Sequence, residues 1–119
     1  MTDERRQILR IQMKLTTFVK RLKTGQVQRA LTRDLGGEGL CMIAEEPFER
    51  GTQVELKIKL PDRKTPIVGT GEVVWCKPLG PKDVDHGSMT SDIGVHFTAI
   101  DPNDATVLAQ FARLHALPQ

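Results

Sequence analysis

The run Val54-Glu55-Leu56-Lys57-Ile58-Lys59-Leu60 alternates apolar and charged residues without a break. Successive side chains of a strand point to opposite faces, so the pattern predicts Val54, Leu56, Ile58 and Leu60 inward and the charges outward. The same period recurs along the chain. Over 11–19, Ile11, Met13, Leu15, Thr17 and Val19 share one face against Gln12, Lys14 and Thr16. A second strand is predicted over 27–33, with Val27 and Leu31 on one face, and a third over 40–44. The segment 67–77 reads as a fifth strand, with Val73 and Trp75 on one face, Val74 and Cys76 on the other, and Gly69 and Gly71 marking a bend or bulge. A sixth covers 92–98, with Ile93, Val95 and Phe97 inward and His96 outward. Turn signals fill the gaps at 23–26, 47–52 and 61–66, and a long loop without period spans 78–91. Strands arriving about every 8–15 residues, with no helix between them, predict an antiparallel barrel or sandwich. Asp101 then caps a helix with Pro102 at its first position, Asp104 in the first turn, and Val107, Leu108, Phe111 and Leu114 as the docking stripe.

At 119 residues the chain has room for one core and not for two. Its 39% apolar and 27% charged residues suit a soluble globular domain. No apolar run approaches the ~20 residues of a membrane span, and the charged N-terminus lacks the apolar stretch of a signal peptide. Cys41 and Cys76 have no CxxC spacing and read as reduced, strand-buried thiols of a cytoplasmic protein. The net charge of +2 hides an asymmetry: residues 1–33 carry nine Lys/Arg and two Asp/Glu, residues 34–119 eight and thirteen. A basic third on an acidic body suits an anionic partner, and equally a solvated face that keeps the protein in solution.

The polar stretch that stands out is Thr32-Arg33-Asp34-Leu35-Gly36-Gly37-Glu38-Gly39-Leu40. Glycine accepts positive φ and lets another molecule approach the backbone. Asp34 is a compact acceptor for backbone amides or for the donor edge of a base. Two readings follow, a tight strand connection with a solvated Asp, or the floor of a ligand site.

Upstream lies Arg6-Gln7-Ile8-Leu9-Arg10, an R-x-x-x-R spacing with Arg5 beside it. With this element, Asp34-Leu35-Gly36-Gly37-Glu38-Gly39 and the strand order, the chain resembles the PilZ domain family. That family carries R-x-x-x-R before its first strand and [D/N]-x-S-x-x-G between its second and third. Asp34 and Gly39 match the second motif, and Gly36 stands where the family has serine. Gly51-Thr52, Gly71-Glu72-Val73-Val74-Trp75 and Ile93-Gly94-Val95-His96-Phe97 add to the likeness, which covers roughly residues 5–112. It implies a mainly all-β fold, a six-stranded antiparallel barrel over 11–100, a flexible arm over 1–10 and a C-terminal helix over 101–117.

The resemblance also implies the ligand, cyclic di-GMP. Arginine offers a planar fork of donors for phosphate or for guanine O6/N7, and it stacks on bases. Arg6 and Arg10, with Arg5 as neighbour, would take phosphate and the guanine Hoogsteen edge. Asp34 would accept from a guanine ring N–H and amine, Gly36 and Gly37 would belong to the contacting loop, and Gly39 would leave room for close approach. Losing the serine hydroxyl at Gly36 costs about 0.5–1.5 kcal/mol, and a looser loop about 0.4–1 kcal/mol. The sum weakens binding by roughly 5- to 70-fold, which is short of abolishing it.

His86, His96 and His115 have no metal-ligand spacing, Ser88 and Ser91 have no paired base, and no enzyme is expected. A chain with 4% aromatics and no Tyr lacks a base-stacking platform, so no DNA or RNA partner is expected. The expectation is a bacterial, cytoplasmic receptor or adaptor, monomeric or weakly dimeric, without membrane insertion or cofactor. It would change conformation with its ligand and regulate an unidentified effector in motility, exopolysaccharide or virulence output. The alternative is a degenerate module of the same fold that contacts proteins and binds no nucleotide.

Overall fold

The computed structural model describes residues 11–79 and 90–115. They form β1 (Ile11–Arg21), β2 (Val27–Leu35), β3 (Gly39–Ala44), β4 (Gln53–Ile58), β5 (Ile67–Pro78), β6 (Ser91–Ile100) and α1 (Pro102–His115). All pairings are antiparallel, in the order β1-β2-β3-β6-β5-β4, and β4 returns to β1 to close a barrel. The expected all-β architecture, a six-stranded barrel followed by one helix, is what the chain adopts. Most of the loop over 78–91 lies outside the described residues. Its two ends are joined by the Leu79 N–H donating to the Thr90 carbonyl at 2.9 Å.

The alternating runs bury the side predicted for them. Val54, Leu56 and Ile58 of β4, Leu60 just beyond it, Leu15, Thr17 and Val19 of β1, and Ile93, Val95 and Phe97 of β6 all face the core, while His96 is exposed. Burying one such Leu or Ile fully contributes about 1.5–3 kcal/mol. Phe48, from the 47–52 loop, is also buried in this cluster. The Arg21 guanidinium stacks on its outer side, 3.8 Å from the ring centroid, and donates to the Pro47 carbonyl at 3.1 Å. Gly51 turns that loop with φ +93°, a conformation other residues rarely adopt.

Val27 and Leu31 share a face of β2 as predicted, and it is the outward one; two other predicted faces are corrected, one by register and one by length. Val27 is exposed and Leu31 only half-buried; the inward residues of β2 are Ala30, Thr32 and Leu35. On β5 the register against β6 slips between Val73 and Trp75. Val73 therefore faces the core and Trp75 does not, Val74 is exposed, and Cys76 packs against the core. The helix is capped as expected, the Asn103 N–H donating to Asp101 Oδ1 at 2.8 Å, and it buries Leu108 and Phe111. Leu114, one turn further on, is exposed, because the docked part of the stripe ends at Phe111. Cys41 and Cys76 are free thiols, half-buried rather than buried.

Inside the barrel, Thr17 of β1 and Thr32 of β2 share a hydrogen bond of 2.7 Å between hydroxyls, both fully buried. Replacing one partner strands the other hydroxyl, whereas replacing both with isosteric apolar groups leaves no orphan. Thr17→Val is therefore expected to destabilise by about 1–3 kcal/mol, and Thr17→Val/Thr32→Val to recover most of that loss. Urea denaturation of the single and double variants checks it.

Candidate functional site

The stretch singled out in the sequence is the hairpin between β2 and β3, and its backbone is closely tied. Leu35 pairs with Leu40, and the Gly36 N–H donates to the Gly39 carbonyl at 3.0 Å. The Phe97 N–H of β6 donates to the Glu38 carbonyl at 2.8 Å, anchoring the hairpin tip to a third strand. Among the described residues positive φ occurs at Gly25 and Gly51, so left-handed backbone is not why this hairpin is rich in glycine.

The glycines there serve different ends. A Cβ on Gly39 would overlap the Val95 carbonyl oxygen and lie 3.2 Å from His96 Cα, so its missing side chain admits the neighbouring strand β6. The expected room for an incoming molecule is already filled by backbone. Gly37 is exposed, with nothing within 4 Å of where its Cβ would stand. Gly36 is half-buried at the hydrogen-bonded base of the hairpin.

A β-bulge aims Asp34. Against β3 the pairing steps from Thr32↔Met42 to Asp34↔Cys41, leaving Arg33 as the extra residue. Such an insertion turns the following side chain to the other face. Thr32 and Leu35 are both buried inside, and half-buried Asp34 lies between them on the outer wall. Register then lays one row across four strands: Asp34 beside Cys41, Cys41 beside Gly94, and Gly94 beside Trp75. The indole occupies the space over Gly94 that a side chain would need, and Lys77 Nζ sits 4.9 Å from the ring centroid.

Next to this row the bulged Arg33 donates to Asp92 Oδ2 at 3.3 Å. The Asp92 side chain is 9% exposed, and among the described residues its buried Oδ1 has no hydrogen-bond partner. Sequence reading passed over Arg33, Asp92 and Trp75 as members of this outer wall. No local signal marks them, because the two register slips that bring them there are properties of paired strands.

Arg5, Arg6 and Arg10 lie outside the described residues. The described chain begins at Ile11, whose Cα partner is Leu35, with Gln12 opposite Asp34. The segment that carries the arginines therefore joins the barrel beside the hairpin.

Gly39→Ala is expected to cost about 1–3 kcal/mol, since the contact it creates is with backbone that cannot rotate away. Gly37→Ala, in open space, should stay within about 0.5 kcal/mol of the parent. Thermal melts of the two variants compare these outcomes.

The PilZ domain family model matches residues 4–114. No curated protein matches the chain. Among solved structures, the Bacillus subtilis inhibitor of motility MotI/DgrA is similar at TM-score 0.71 and 18% identity, over 87% of this chain and 47% of that one. The PilZ domain of Escherichia coli YcgR, solved with c-di-GMP, is similar at TM-score 0.70 and 12% identity, over 89% of this chain and 87% of that one. The Borreliella burgdorferi PlzA protein, in complex with c-di-GMP, gives TM-score 0.57 and 11% identity over 88% of this chain and 50% of that one. The chain thus spans about half the length of MotI/DgrA and PlzA and most of the YcgR domain. At these identities the three structures speak to the fold.

Proposed function

The chain belongs to the PilZ domain family, and on that premise we propose that it is a receptor for cyclic di-GMP that acts on a partner protein and catalyses no reaction. The observation that carries the proposal is the β1–β2 register. Gln12 lies opposite Asp34, so the described chain begins, directly after the first motif in sequence, at the corner of the barrel that holds the second. In this reading Arg6 and Arg10, with Arg5 beside them, take phosphate and the Hoogsteen edge of a guanine. Asp34, aimed outward by the bulge, accepts from a guanine ring N–H and amine. Gly36 and Gly37 offer bare backbone to the ligand, while Gly39 contributes indirectly by seating the hairpin on β6. The solved complexes of YcgR and PlzA with c-di-GMP support the choice of ligand.

Glycine in place of serine at position 36 removes one hydroxyl, a loss of about 2- to 12-fold in affinity. The further loss expected from a looser loop is small, because the hairpin is held by hydrogen bonds of 3.0 Å within itself and 2.8 Å to β6. Binding should therefore be weakened and not lost. Ligand drawing residues 1–10 onto the barrel wall would reshape the surface an effector meets. The same substitution is the observation behind a second reading, a member of the family that has given up nucleotide and works by protein contacts alone.

Calorimetric titration of cyclic di-GMP separates the two. The receptor reading expects saturable binding at micromolar strength or tighter, its disappearance in Arg10→Ala, and about 2- to 12-fold tighter binding in Gly36→Ser. No heat up to about a millimolar, a binding free energy of only ~4 kcal/mol, would leave the second reading in place.

A further inference from the structure

Between Glu4 and Asp34 the chain has no acidic residue, yet it has nine basic ones in its first 33 positions. The proposed nucleotide site uses only three of them. Arg21 and Arg33 are engaged elsewhere, on Phe48 and on Asp92. Lys20 and Arg29 stand on the outer wall of the β1–β2 hairpin, which continues into β4 with the exposed Lys57 and Lys59 of the 54–60 run; Lys20 lies across from Glu55, and Phe18 separates Arg29 from Lys57. One row reads Arg29, Phe18, Lys57 and Val68 across β2, β1, β4 and β5, and the next Val27, Lys20, Glu55 and Thr70. Within these rows Glu55 is the only acid, and among the described residues none of the four cations forms an ion pair. Arg29 is five residues from Asp34 along β2, about 17 Å at ~3.4 Å per residue, so this wall is separate from the nucleotide site.

We propose that this wall is a docking face for anionic phospholipid, through which the protein binds peripherally to a bilayer surface. Four cations of one sign supply the charge complementarity. Phe18, Leu22, Val27 and Val68 are exposed by 37% to 56% and are interleaved with them, so shallow contact with the headgroup layer adds apolar burial. Three of the four cations are lysine, a residue depleted from protein–protein interfaces but effective as a point charge near a lipid surface. Along this wall β2, β1, β4 and β5 are paired with one another, so no edge is open there for an added peptide strand, which leaves side-chain contact with a broad surface. This inference does not depend on the nucleotide reading.

Co-sedimentation of the full chain, without cyclic di-GMP, with vesicles of phosphatidylcholine alone or mixed equally with phosphatidylglycerol tests it. The protein should pellet with the mixed vesicles only and be released by high salt. Lys20→Gln/Lys57→Gln should weaken binding about 25-fold, at roughly five-fold per cation removed. Leu22→Ser/Val27→Ser should weaken it at every salt concentration, and Lys77→Gln, beside Trp75 on the other wall, should leave it unchanged. Arg10→Ala, expected to be silent to cyclic di-GMP, should still pellet. Failure to pellet with mixed vesicles, or pelleting indifferent to Lys20 and Lys57, overturns the proposal. Capture by soluble polyglutamate with no vesicle binding overturns it in favour of an acidic polypeptide.

Discussion

The pairing of β1 with β4 is the contact on which the rest of this barrel depends. It runs from Thr17↔Ile58 to Arg21↔Val54 and joins the first strand to the fourth, the last in spatial order. Without it the sheet would keep two edges of unsatisfied N–H and C=O groups. Closure also forces the inward faces of all six strands onto one another, which is why small residues appear where strands crowd. Gly71 is one: a Cβ there would stand 2.7 Å from Val95 Cγ1 and 2.8 Å from the His96 carbonyl. Gly39 and Gly94 make room elsewhere, Gly39 for a neighbouring backbone and Gly94 for the indole on the outer wall.

Regular strands alone would not produce the candidate site. With unbroken alternation, Asp34 would share the inward face of Thr32, where an unpaired carboxylate is costly to bury. The extra residue at Arg33 places Asp34 outside and still returns Leu35 to the core. The second slip, between Val73 and Trp75, does the same for the indole. Two one-residue irregularities thus give the outer wall an acceptor at one end and an aromatic at the other, with Gly94 between them.

The basic character of the first third of the chain also divides in three dimensions. Read along the sequence, it is a single basic block. In the barrel, Lys20 and Arg29 join Lys57 and Lys59 on a wall some distance from Asp34, while Arg21 and Arg33 brace the loop at Phe48 and the buried Asp92. Charges adjacent in sequence alternate between faces of a strand and partner with different neighbours, so a linear count of charge does not describe a surface.

Strand spacing, the inward sets of β4 and β6, the Asp101 cap and the order of the two motifs were all legible in the sequence. Each rests on a local rule: period two, turn chemistry, or the hydrogen-bonding capacity of one side chain. The inward face of β2, the placement of Trp75, the outward turn of Asp34 and the reason for Gly39 were not legible. They follow from register, which is set where two strands meet, and a slip of one residue reverses every side chain beyond it. Leu114 shows the same limit for the helix: its periodicity marks an apolar stripe, but only the extent of the barrel decides how much of that stripe is covered. The sequence by itself determined which segments become strands and where along them the two polar motifs fall. The tertiary structure decided which wall each side chain occupies, because that depends on partners far away along the chain.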